Sequence, residues 1–253
     1  MQLIQYCIKV FTTDKLQGNP AAVILLNEEI QHEKMQRIAF INNYPETVFL
    51  KKIGKKEYFI YWFTPTRETY DAGHATIAAQ YFIAKILKEE GSIKLIWKEN
   101  DEMRTREFDT KKYNFLSFEN DVKIDAHIGN KKMFNMEKDI VIVLDSEESI
   151  KKYKPNFEEI VKLESRGLCI TALGINNDYC SRFFAPKYGV NEDFVTATSH
   201  KYLSVYWSNK LNINRVKGIQ YSQSYGEVIA NVSSKFIELE GNCCIFSKSE
   251  VFL

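Results

Sequence analysis

No sign of charge dominates this 253-residue sequence: 34 Lys and Arg stand against 33 Asp and Glu, a formal net charge of +1. Nucleic-acid binding draws on a clear basic excess that neutralises phosphates, so no nucleic-acid partner is expected. The lysine cluster at 51–56 reads as a solvated turn. Long apolar runs are also missing. The longest, Ala21–Leu26, falls far short of the roughly 20 residues a membrane helix needs, so no membrane partner is expected. The first residues, Met1–Cys7, lack a charged stretch followed by an apolar one, and no secretory signal is read there. Cysteine is sparse: Cys7, Cys169, Cys180, Cys243 and Cys244 are odd in number and contain no C-x-x-C pair. That argues against a disulfide scaffold or a structural zinc and for a reducing cytoplasm. The chain has no G-x-S-x-G elbow, no G-x-x-x-x-G-K-[ST] loop and no G-x-G-x-x-G fingerprint. Hydrolase, nucleotidase and nicotinamide-enzyme readings therefore lack support.

What is present is ordinary globular material, 45% hydrophobic and 26% charged, long enough for one large domain or two small ones. Alternating side chains predict a strand over Gln2–Thr12, and a turn at Gly18-Asn19-Pro20 leads to a buried strand at Ala21–Leu26. Ile30, Met35, Ile38 and Ile41 recur at helical spacing over Glu28–Asn42, and Pro45 stops that helix. Strands are expected at Thr47–Lys51, Tyr58–Phe63, Ile93–Lys98 and Glu102–Phe108. Ala75–Leu87 reads as a helix apolar on nearly all faces, hence buried, ended by Gly91. The stretch Asp109–Asp125 has weak periodicity, so a boundary near residue 115 divides the chain into 1–115 and 116–253, with the last strand free to return to the first half. The second half reads as a strand at Ile140–Leu144 and short helices at Glu147–Tyr153 and Phe157–Ser165. Strands at Gly167–Leu173 and Tyr179–Phe184 follow, then a helix at Ser199–Trp207. Closing strands at Gly218–Tyr221, Glu227–Val232 and Phe236–Glu240 end at Gly241-Asn242.

The halves share an order. Phe63-Thr64-Pro65, a loop, Gly73-His74-Ala75-Thr76 and a core helix occur once; Phe184-Ala185-Pro186, a loop, Ala197-Thr198-Ser199-His200 and a core helix occur again. The pattern suggests two copies of one unit. Each loop delivers a helix start near His74 or Ser199, and helix starts attract anions, including carboxylates. Gly73 lets a ligand approach the backbone. Thr198 and Ser199, taken singly, read first as ordinary helix caps, a role compatible with binding.

Other candidates are the titratable groups nearby. Glu46 is either a carboxylate at a strand mouth, suited to proton transfer when partly buried, or a surface-turn glutamate. His74 offers imidazole chemistry or simple packing. Asp193 is a candidate acid or a turn residue, and His200 reads as packing or capping. Asp71, His74, Asp193 and His200 lack a metal-ligand spacing, so no metal is expected.

Six segments carry a resemblance: Gln17–Val23, Asn42–Phe49, Phe63–Thr66, Gly73–Thr76, Phe183–Pro186 and Glu192–Thr196. In this order they resemble the phenazine-biosynthesis PhzF-like isomerases. The resemblance implies an α+β, diaminopimelate-epimerase-like fold: two pseudo-symmetric domains, each a curved, mostly antiparallel sheet around a central apolar helix, with the active site between them. It implies a cofactor-independent isomerase, often a homodimer, that moves a proton on a small carboxylate-bearing substrate. Carried over residue by residue, it implies Glu46 as general acid and base, with His74 and Asp193 as catalytic partners. It makes Asn19, Gly73, Ala75, Thr198 and Ser199 the substrate-binding positions.

The sequence departs from the family pattern in places. Pro45 stands for a serine, Phe194 and Ala197 for a proline and a glycine, and Ser224 and Tyr225 replace an arginine-and-glycine segment. Ala72 occupies the place of the catalytic cysteine of related epimerases, which disfavours two-thiol racemisation. These departures keep an alternative in view: a family member that binds a small anion without isomerising it.

Overall fold

The computed structural model describes residues 1–70, 72–122, 133–136 and 138–253. Asp71 lies outside them. The first elements are β1 (Gln2–Val10), β2 (Asn19–Leu26), α1 (His32–Asn42), β3 (Glu46–Gly54), β4 (Glu57–Phe63), β5 (Glu68–Thr69), α2 (Gly73–Tyr81), β6 (Ser92–Glu99) and β7 (Glu102–Asp109). There follow β8 (Phe115–Glu119), β9 (Met133–Met136), β10 (Asp139–Val143), α3 (Glu147–Lys152), α4 (Phe157–Lys162), β11 (Gly167–Leu173) and β12 (Tyr179–Phe184). The last are α5 (Ala197–Leu211), β13 (Arg215–Gln220), β14 (Gly226–Val232), β15 (Phe236–Glu240) and β16 (Cys243–Phe252). The chain forms two compact units, Met1–Phe115 with Asn242–Leu253, and Leu116–Gly241. The fold is α+β, with one mixed, mostly antiparallel eight-stranded sheet in each unit.

Both units follow one pairing scheme. In the first, β1 and β2 are antiparallel, β2 and β3 parallel, β3 and β4 antiparallel, β4 and β6 parallel, β6 and β7 antiparallel. In the second, β9 and β10 are antiparallel, β10 and β11 parallel, β11 and β12 antiparallel, β12 and β13 parallel, β13 and β14 antiparallel. The helix lies between the fourth and fifth strands of each scheme: α2 in one, α5 in the other.

Each helix is the core of its unit. Every residue of α2 from His74 to Gln80 is buried, and the helix packs on β1, β2, β3 and β16. Ala75, Ala78 and Ala79 are fully covered, because short side chains let the helix seat closely on the strands. Helix α5 packs on β13, β14 and β15 and is richer in polar atoms, each of which needs a partner. The Trp207 indole donates to Thr171 Oγ1 at 2.9 Å, and that hydroxyl donates to the Cys180 carbonyl at 2.8 Å. Tyr179 Oη meets His200 Nδ1 at 2.7 Å, and its ring stacks on Trp207 at 6.2 Å.

Some expectations shift. Helix α2 continues as a π-turn over Phe82–Ile86, close to the expected end at Leu87, and Lys88 already has φ 56°. Gly91, at φ +88°, instead turns the chain into β6. The stop after α1 falls on Asn43, left-handed at φ 51°, whose N–H bonds the Ala39 carbonyl. The weakly periodic stretch after residue 109 contains β8; β9 has no counterpart in the sequence reading, and β16 has one only as a last strand without a residue range. Strand β16 runs antiparallel to β1 along its whole length and forms the sheet edge, so half its side chains face outward and no apolar alternation marks it. Among the described residues no helix is long and apolar enough to cross a membrane.

Candidate active site

Three distant segments meet at one end of the first unit. Gly18, at φ +77°, turns the chain where a Cβ would lie 2.5 Å from the Val10 carbonyl, so β2 starts at Asn19, which is fully buried. Ala21 of β2 pairs in parallel with Glu46 at the start of β3. Asn42, the last residue of α1, donates to Gln5 Oε1 at 2.8 Å and to Thr47 Oγ1 at 3.1 Å, which pins the turn that delivers Glu46. Helix α2 supplies His74 in its first turn.

His74 Nε2 lies 3.0 Å from Glu46 Oε2, with side-chain exposures of 9% and 18%, and 3.3 Å from the Pro20 carbonyl. Facing two acceptor oxygens, Nε2 carries its hydrogen. The approach to Glu46 is close but poorly directed, and Oε2, buried, has no hydrogen-bond partner among the described residues. A buried carboxylate oxygen in this state is costly unless a ligand completes it. Gly73 and Ala75 flank His74; Gly73 is partly exposed and Ala75 fully buried. The first-turn N–H groups have no intrahelical partner by geometry.

The second unit assembles different groups at its own helix start. Asp193 Oδ2 accepts from Thr196 Oγ1 at 2.5 Å. Gln220, fully buried, accepts from the Thr196 N–H at 2.9 Å and donates to the Asp193 carbonyl and Thr196 Oγ1, both at 3.1 Å. This side chain fixes the loop carrying Asp193. Ser199 is buried, and its hydroxyl donates back to the Thr196 carbonyl at 2.9 Å. Thr198 is partly exposed, and its Oγ1 accepts from Arg166 Nη1 at 3.0 Å.

Arg166 and Asp139 escaped the sequence reading. Arg166 Nε donates to Asp139 Oδ1 at 2.9 Å, and its Nη2 donates to Oδ2. Tyr202 Oη donates to Oδ2 at 2.9 Å. Asp139 is 2% exposed. Burial opposes the guanidinium charge, but the Asp139 carboxylate beside Arg166 outweighs it and holds the pKa above its ordinary value. The only prior signal was positional, since Arg166 precedes β11 as Pro45 precedes Glu46 at the head of β3.

Other chemistry is poorly furnished. Burial pushes the thiols of Cys7 and Cys180 up, Cys180 to about 12, so neither is a ready thiolate base. Burial also drives His200 down to about 3; it stays neutral in the core beside Tyr179. Among the described residues no three His, Cys, Asp or Glu side chains converge as metal ligands.

Comparisons with known proteins agree in direction. A model of the phenazine biosynthesis-like (PhzC-PhzF) proteins matches residues 8–100 and 86–236. The chain is 29% identical over 261 residues to a Pseudomonas aeruginosa protein named an uncharacterized isomerase, with all of both chains covered. The crystal structure of an Enterococcus faecalis phenazine biosynthesis protein of the PhzF family superposes with a TM-score of 0.86 at 30% identity, covering 100% of each chain. The crystal structure of a PhzC/PhzF protein from Clostridium difficile gives 0.83 at 31% identity, covering 99% of this chain and 100% of that one.

Proposed function

The chain belongs to the phenazine biosynthesis-like family and is an isomerase of it, and from that premise we propose that Glu46 carries a proton between two carbons of a small carboxylate-bearing substrate. The observation that supports this reading most is the Glu46 carboxylate, whose buried Oε2 lies 3.0 Å from His74 Nε2 and receives no directed hydrogen bond among the described residues. As a carboxylate, Glu46 takes a proton from a carbon made acidic by a conjugated carboxyl or carbonyl group. As the resulting acid, it returns that proton to a second carbon, so the reaction needs no net proton or electron. His74, with its hydrogen on Nε2, steadies the carboxylate between the two steps. Asp193 orients a polar group of the substrate, and the partly exposed Thr198 holds its carboxylate.

The second unit supplies a further argument for a single carrier. The register position of Glu46, paired with Ala21, corresponds to Gly167, paired with Asp139. A Cβ at Gly167 would lie 2.7 Å from the Phe183 ring and 2.7 Å from the Phe184 carbonyl. No side chain fits there, so the repeat cannot place a second carboxylate at the equivalent point. The test is conversion of a dihydro-hydroxyanthranilate, followed by ultraviolet absorbance. Turnover by the purified chain is expected. Absence of both turnover and solvent-hydrogen exchange would favour an anion binder instead.

A further inference from the structure

The Arg166–Asp139–Tyr202 cluster is buried ionic chemistry that the proton transfer does not use. Asp139 heads β10 with a carboxylate that is 2% exposed. Both its oxygens are taken by the Nε and Nη2 arms of Arg166, and Tyr202 adds a further donor. Arg166 is thereby locked, with its face on the Phe183 ring at 5.1 Å. Its remaining arm, Nη1, reaches Thr198 Oγ1 at 3.0 Å, and the side chain is still 31% exposed.

That last contact has a definite sense. A guanidinium only donates, so Thr198 Oγ1 must accept. Among the described residues the Thr198 hydroxyl hydrogen has no acceptor, and the side chain is partly exposed, so that hydrogen is available to a ligand. Its neighbour Ser199 has the opposite arrangement, with its hydrogen spent on the Thr196 carbonyl. Charge assistance from Arg166 also makes the Thr198 hydroxyl a better donor.

We propose that Arg166 is a positioning residue, held by Asp139, that turns the Thr198 hydroxyl into a dedicated donor for the substrate carboxylate and so sets preference for acids over their esters. This rests on the reading that the second unit holds the substrate's anionic end. Because Asp139 balances Arg166, and Asp193 adds a further negative charge within its field, the selection acts through oriented donors and not through net charge. The preference is therefore expected to depend weakly on salt.

The test uses anthranilate and methyl anthranilate as stable probes, with affinities from calorimetry. Wild type is expected to prefer the acid. The neutralised variant R166M/D139N leaves Tyr202 an acceptor and removes both charges together. It is expected to lose about tenfold or more in affinity for the acid, the scale of a charge-assisted hydrogen bond, with ester binding nearly unchanged. T198V is expected to do the same. Adding T198V to R166M/D139N should then cost little more, since both changes remove one donor. Should R166M/D139N not fold, R166K decides: it keeps a cation on Asp139 but has no second arm for Thr198, and the same loss is expected. Multiplying losses in the combined variant, or full acid preference in a folded Arg166 variant, would overturn the inference alone. A wild type that does not distinguish acid from ester overturns the carboxylate reading, and the inference with it.

Discussion

Two helix starts in this molecule sit in equivalent places of one repeated pairing scheme, yet they carry opposite chemistry. In the first unit the start of α2 faces a carboxylate, Glu46, with His74 beside it. In the second the start of α5 faces a guanidinium, Arg166, with Thr198 beside it. The same register positions hold Ala21 and Glu46 in one sheet and Asp139 and Gly167 in the other. One pairing scheme thus carries a carboxylate at one helix start and a guanidinium at the other. The lesson is that a shared strand order leaves the side chains at the strand heads free to differ, Glu46 in one unit and Gly167 in the other.

The largest way to break the comparison is at the ion pair. Asp139→Ala copies into the second unit the alanine that the first has at Ala21. It leaves the Arg166 guanidinium without its carboxylate, and a loss of about 3–5 kcal/mol in unfolding free energy is expected, read by denaturant titration. Ala21, fully buried beside Glu46, needs no such partner.

The buried histidine of α5 gives the next test. His200 has its pKa pushed down by burial to about 3, whereas the unfolded chain protonates near 6.5. Between those values the unfolded state binds the extra proton, so stability rises with pH across that window. His200 neutral is fully accommodated above about pH 6.5, and its contribution is lost as pH falls toward 3. A slope of up to about 1.4 kcal/mol per pH unit is expected from this one group. His200→Gln should flatten the melting temperature against pH, read as melting curves of the two proteins across that window.

A smaller effect separates the parallel strands that flank each helix connection. The first pair of β4 and β6 is Glu57 with Lys94, and that of β12 and β13 is Tyr179 with Gly218. A Cβ on Gly218 would lie 2.3 Å from the Tyr179 ring. Gly218→Ala is expected to cost about 1–3 kcal/mol through overpacking, and Lys94→Ala within about 0.5 kcal/mol as an ordinary surface change. Paired thermal melts check both.

Much of this was legible in the chain itself, and the exceptions share a cause. Helices α2 and α5 declare themselves because buried helices tolerate few charges, and Ala75, Ala78 and Ala79 sit in one of them. Six ordered motifs identified the family, and among them Glu46 and His74 come together in space. Strand β9 and the bounds of β16 stayed hidden because short or edge strands show no strong alternation. Arg166 and Asp139 were invisible for a stronger reason: a salt bridge between residues 27 apart leaves no local periodicity, and only the tertiary register pairs them. Ser199 illustrates the reverse. Its hydroxyl looked available in the sequence, but helix geometry turns it back on Thr196.

The central claim is that one carboxylate, Glu46, carries the proton. Its most direct test is deuterium incorporation from D2O into dihydro-hydroxyanthranilate by wild type and Glu46→Gln side by side, with binding measured in parallel. Loss of a positioned acid–base group predicts incorporation lower by about 10²–10⁴-fold in the variant, with affinity retained. Equal incorporation by the two proteins would contradict the account.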